Sequence, residues 1–153
     1  MRIAVISDVH GNRLALEAVL DDIAIGGVDS IVNLGDMASG PLEPDAATDI
    51  LMDVDPPSIR GNHDRMLVEC PIDEMNAVDR FAASRLEKRH LDWFAQLPAT
   101  LEIAGEIFLC HGTPASDSEP WLDNWWQGRM SVSPDEASVS ARATGLDYPI
   151  LLC

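Results

Sequence analysis

Apolar residues recur along this chain in two rhythms. Ile3-Ala4-Val5-Ile6 is an unbroken apolar run, mostly β-branched, and predicts a strand buried on both faces. Leu16, Val19, Leu20 and Ile23 then repeat at helical spacing, with Glu17 and Asp21 on the opposite side. Asn12 is placed to cap this helix and Gly26-Gly27 to stop it. Positions 29–34 form a second strand, so the opening is a β-α-β unit with a parallel sheet.

The loop Pro41-Leu42-Glu43-Pro44 leads into a second helix, with Ala46, Ala47, Ile50, Leu51 and Val54 on one face. Asp55-Pro56-Pro57 ends it, and positions 57–60 regain β character. Positions 72–97 follow a helical pattern in two pieces, with Phe81, Leu91 and Phe94 facing the core. Thr100–Ile103 and positions 106–109 predict a hairpin turning at Ala104-Gly105. Ser133-Pro134-Asp135-Glu136 reads as a capping box with proline at the first helical position. That helix is expected to reach Thr144, with Gly145 ending it. Positions 148–153 form another buried strand. The alternation predicts a layered α/β fold with a sheet between helices, one domain spanning 1–153. The last strand stops at its own tip, whereas the earlier ones lead straight into polar motifs. A chain truncated within its domain is therefore expected.

Composition narrows the chemistry. The 153 residues carry a formal net charge of −16. Such a chain has no run of Lys and Arg to replace counterions, so an extended nucleic-acid surface is not expected. Anionic substrates need bound cations to reverse the local sign. The cysteines Cys70, Cys110 and Cys153 are odd in number and lack metal-type spacing, which points to a reducing compartment. With no signal sequence and no span-length apolar run, a cytoplasmic protein without a membrane partner is expected.

The polar residues that matter sit at strand ends. Ser7-Asp8-Val9-His10-Gly11-Asn12, Leu34-Gly35-Asp36, Gly61-Asn62-His63-Asp64 and Leu109-Cys110-His111-Gly112 each follow a strand-like run. Strand ends of open α/β sheets are where such folds carry their sites. Asp8, His10, Asp36, Asn62 and His111 are oxygen and nitrogen donors without a thiolate, a set suited to Mn, Fe, Zn or Mg. Asp36 can bridge two cations, and two-metal sites clamp phosphoryl groups. Singly, Asp8 reads equally as a turn residue, Asn12 better as a cap, and His111 as a core histidine. Jointly they make a site. His90, between Arg89 and Leu91 in a helical stretch, is taken as structural.

In order, Asp8-Val9-His10, Gly35-Asp36, Gly61-Asn62-His63-Asp64 and His111-Gly112 resemble the motifs of the calcineurin-like metallophosphoesterases, and most closely the small prokaryotic phosphodiesterase branch. The resemblance covers essentially the whole chain. It implies an α-β-β-α sandwich and two divalent metal ions, Mn foremost, with Fe, Zn, Ni or Mg as alternatives. Asp8 and His10 would hold the first ion, Asp36 would bridge, and Asn62 and His111 would hold the second. His63 would be the catalytic acid or phosphate contact, with Asp64 orienting its ring, while a metal-bridging hydroxide attacks phosphorus. The implied substrate is a small phosphodiester or nucleotide. The family's last motif, Gly-His-x-His, would follow the final strand, and the chain ends before it, leaving each metal one histidine short. A non-catalytic scaffold on the same fold, or an inactive fragment with one weak metal, are the alternatives, and self-association is left open. Trp121, Trp125 and Trp126 could wall a pocket, pack in the core or meet another subunit. Arg60 and Arg129 are candidate phosphate contacts.

Overall fold

In the computed structural model, residues 1–122, 124–126 and 130–153 are described, with 124–126 and 130–131 described by backbone alone. The chain divides into two compact units, Met1–Pro98 and Ala99–Cys153. In the first, β1 (Ile3–Ile6) runs parallel to β2 (Ser30–Asn33), with Ile3 opposite Ser30 and Ile6 opposite Asn33. The crossover is α1 (Arg13–Gly26), capped as expected by the Asn12 side chain, which accepts the Ala15 N–H at 3.1 Å. Ser58 adds a parallel bridge to Asn33, so the segment before Gly61 extends the sheet.

Four further helices follow and pack on one another: α2 (Pro44–Val54), α3 (Asn62–Glu69), α4 (Ala77–Arg85) and α5 (Lys88–Gln96). Each helix contributes to one core, with Leu16, Leu51, Leu67, Ala82 and Phe94 buried together beside Ile6 and Met37. His90 is structural as expected, buried with Nε2 2.8 Å from Asp49 and Nδ1 accepting the Glu87 N–H.

Three expectations need correction here. Val5 is 44% exposed and Val19 is 45% exposed, so β1 has one covered face and one open one. An unbroken apolar run does not distinguish the two cases. Phe81 is also exposed, because α4 turns Ala82 inward instead. The Gly61-Asn62-His63-Asp64 motif does not stop at a loop but forms the first turn of α3, a helix absent from the sequence reading.

In the second unit β3 (Thr100–Ile103) and β4 (Ile107–Cys110) form the expected hairpin. β5 (Asn124–Trp126) pairs antiparallel with β6 (Met130–Val132), followed by α6 (Glu136–Arg142) and by β7 (Ile150–Leu152), which lies parallel to β4. Phe108, Cys110 and Trp121 form its core, and Tyr148 packs on Phe108 with ring centroids 5.3 Å apart. α6 starts later than expected. Asp135 rather than Ser133 is its cap, accepting the Ser138 N–H at 2.8 Å, so Pro134 precedes the helix. A carboxylate two residues on competes for the same role, and the cap ranking does not separate the two.

Candidate metal centre

The site begins with two loops that continue the β1–β2 pairing beyond the strands. Asp8 N–H donates to Gly35 O at 3.0 Å, His10 N–H to Asp36 O at 3.0 Å, and Gly11 N–H to Met37 O at 2.9 Å. To keep these bonds, Asp8, His10 and Asp36 adopt φ of +55°, +47° and +56°. Left-handed backbone is uncommon for residues with a Cβ, and costs on the order of 1 kcal/mol or more at each position. Three such residues in one cluster mark a place where side-chain direction outweighs backbone comfort. The outcome is a trio, Asp8, His10 and Asp36, whose ligand atoms all lie within 4.8 Å of one another.

Close approach between loops explains two glycines. A Cβ on Gly35, which has φ +97°, would strike the backbone of Gly61, and one on Gly61 would strike the Asp36 carboxylate. The ends of β2 and the start of α3 touch only because both positions lack side chains.

His10 is oriented by its far nitrogen. Nδ1 lies 2.6 Å from Ser39 O and can only donate there, which leaves Nε2 facing Asp8 at 3.6 Å and Asp36 at 3.8 Å. A backbone carbonyl fixing the tautomer is the usual support of a histidine ligand. The neighbouring Asp8 carboxylate, with further help from the Ser39 carbonyl and the Asp36 charge, raises the His10 pKa to about 9 against the opposing effect of burial.

His63 and Asp64 are placed side by side at the start of α3 but do different work. Asp64 is fully buried and accepts three backbone N–H groups: Asp36 at 2.8 Å, Met37 at 2.9 Å and Gly61 at 3.1 Å. It therefore staples the Gly35–Asp36 loop to the helix and does not orient the His63 ring, a correction to the sequence reading. Its position three residues into the motif points it back at the cap, as in a capping box. Burial, reinforced by the Asp36 charge, pushes its pKa up to about 6, against the three amide bonds. The partner of His63 is Asp79, on α4, whose Oδ1 lies 2.9 Å from His63 Nδ1. Asp79 is itself wholly buried, bonded by Ser39 Oγ and by Asn76 Nδ2 at 2.5 Å. The His10 and His63 rings meet edge-on, centroids 5.4 Å apart. His63 N–H donates to Asp36 Oδ1 at 2.9 Å, so the carboxylate of the trio also anchors α3. Sequence reasoning missed Asp79. The one available signal was Asn76, a cap residue three positions before an acid.

Asn62 opens α3, half-buried, next to His63. His111 follows β4 in the second unit, where it lines a cavity of about 200 Å³ with Thr113 and Asp117. Trp121 belongs to the core of that unit, its Nε1–H donating to Val139 O at 3.1 Å. Trp125 and Trp126 have side chains outside the described residues, and Arg129 lies outside them altogether. Arg60 pairs with Glu69 at 3.2 Å.

The sequence model of the calcineurin-like phosphoesterases matches residues 1–147. The chain belongs to that family. An uncharacterised protein of Methanocaldococcus jannaschii is 33% identical over 120 residues, which is 73% of this chain and 49% of the relative. A metallophosphoesterase from Sphaerobacter thermophilus has 31% identity and a TM-score of 0.65, covering 80% of this chain and 52% of that one. A candidate diadenosine tetraphosphatase has 25% identity and a TM-score of 0.60, over 72% and 50%. A hypothetical protein of Pyrococcus horikoshii shares the fold, with 19% identity, a TM-score of 0.80 and coverage of 99% and 68%. The chain thus spans about half the length of the relative and of two of these structures. Its mixed α/β fold is that of the metallophosphoesterases. No helix among the described residues is long and apolar enough to cross a membrane.

Proposed function

We propose that the protein is a metal-dependent phosphoesterase for a small phosphodiester or nucleotide-type substrate. The observation that carries this reading is the trio Asp8, His10 and Asp36, with its ligand atoms within 4.8 Å. These donors suit a divalent cation chemically: two carboxylates, and an imidazole whose Nε2 is left available by the Ser39 carbonyl. In this reading Asp8, His10 and Asp36 would hold one ion, and Asp36 and Asn62 would be available to a second. When bound, the ions neutralise phosphoryl charge and activate water.

The protein's own groups supply the rest. Asp79 accepts from His63 Nδ1–H, so that Nε2 is the nitrogen turned away from the carboxylate. A carboxylate at that distance fixes the direction of the ring, and from Nε2 His63 can give a proton to the leaving oxygen of the ester. Asp64 holds the loop that carries Asp36 against the helix that carries His63, through the Asp36, Met37 and Gly61 amides. Manganese-dependent hydrolysis of bis-p-nitrophenyl phosphate tests the reading, with Asn62→Ala and Asp36→Asn beside the parent. Turnover that is lost in both variants is expected. A folded chain that binds manganese without turnover, or turnover indifferent to both substitutions, would overturn it.

A further inference from the structure

A cleft of about 570 Å³ opens directly beside the two histidine rings. His10 and His63 form one side of it. The other side is Pro41, from the loop after β2, and Ala77 and Val78, from the first turn of α4. Ser39, Gly40 and Asn76 complete the lining. These six residues are neutral, in a chain whose formal net charge is −16. The cleft is thus a stretch of surface beside the site that an anionic ester can approach without meeting a carboxylate at its wall. Among the described residues that line it, none is an Arg or a Lys. Arg13, the arginine nearest in sequence to His10, is paired with Glu17 at 2.8 Å and with Glu43 at 3.1 Å.

The polar groups at the start of α4 are occupied as well. Asn76 Oδ1 takes the Val78 and Asp79 N–H groups, at 2.8 Å and 3.0 Å, and its Nδ2 is bonded to Asp79. What this helix start presents is therefore apolar surface, with Val78 42% exposed. The volume lies within the range of about 300–1,000 Å³ usual for small-molecule sites, which are mainly apolar with few polar groups.

We infer that this cleft receives the organic group attached to the phosphate, and that it selects an uncharged group of aryl or nucleobase size over a small alkyl group. The inference rests on the phosphoesterase reading, because only a phosphate held at the Asp8–His10–Asp36 trio directs its ester group past His63 into the cleft. Val78 is then a specificity-determining residue that makes no contact with the reacting atoms.

The test is calorimetric titration of the manganese-loaded chain with phenylphosphonate and with methylphosphonate, which turnover does not consume. Phenylphosphonate is expected to bind about tenfold tighter than methylphosphonate. Val78→Asn, which removes the apolar wall without adding charge, should bring the ratio close to one and leave methylphosphonate unchanged. Val78→Trp, which fills the cleft, should weaken phenylphosphonate alone. Equal binding of both phosphonates by the parent, or a preference that survives both substitutions, overturns the cleft assignment and leaves the phosphoesterase reading standing. Binding of neither phosphonate by manganese-loaded chain overturns both together.

Discussion

The starts of α3 and α4 each bury a carboxylate completely, and the two are used in opposite ways. Asp64, in the third position of α3, accepts only backbone N–H groups. Asp79, in the third position of α4, has the Asp79 N–H tied to Asn76 and its carboxylate facing side chains, those of His63, Ser39 and Asn76. One acid fixes main-chain loops to each other. The other fixes the direction of a ring. A buried carboxylate next to a reactive histidine in sequence is therefore not by that fact its partner. The distinction is in the acceptor's own neighbours.

The largest effect should come from Asp64→Ala. Three buried donors lose their acceptor, each worth about 1–3 kcal/mol, and they share one site, so a loss of roughly 3–5 kcal/mol is expected rather than the full sum. Urea unfolding measures it; a loss under about 1 kcal/mol would put the two acids on the same footing. Asp79→Asn is expected to do the reverse, with modest destabilisation and a fall in turnover of about a hundredfold or more, the scale of general-acid catalysis. The fall should be steepest for esters with poor leaving groups, which depend most on the proton. Uniform loss across leaving groups would make Asp79 a structural residue like Asp64.

Next in size is a pH effect on the metal-free chain. Asp64, raised to about 6, contributes stability that is complete below the unfolded value and is lost as pH rises through about 6. His10, raised from 6.5 to about 9, contributes stability that is complete below 6.5 and is lost as pH rises through about 9. Both slopes have the same sign, so between about pH 4 and 9 metal-free stability should decline as pH rises. Manganese should flatten the upper part, since it replaces the His10 proton. An upward slope between neutral pH and 9 without metal would contradict the arrangement. The smallest effect is expected from Asn76→Ala, about 1 kcal/mol for the lost cap, with a partial loss of turnover through Asp79.

Much of the site was legible because spacing after a strand fixes it. Asp8 and His10 lie on one loop, Asp36 on the next, and a parallel pair of strands brings the two loops together. The Asn12 cap, the crossover helix and the Thr100–Ile103 hairpin followed from equally local rules. Asp79 was not legible. It stands sixteen residues from His63 in sequence, and only the packing of α4 brings the two to 2.9 Å. α3 was hidden because Gly-Asn at its start reads as a turn, and Phe81 misled because helix phase depends on where α4 begins. Tertiary placement, not pattern, decides such cases.

Manganese uptake is the direct measure of whether Asp8, His10 and Asp36 form a metal centre. Metal-free chain is titrated with Mn²⁺ while the free-ion signal is followed by electron paramagnetic resonance, with Asp36→Asn in parallel. The parent is expected to remove the free-ion signal at equimolar metal, and Asp36→Asn, folded to the same extent, to leave most of it. A parent that leaves the free ion untouched, or a variant that takes it up equally well, would contradict a metal centre built on Asp8, His10 and Asp36.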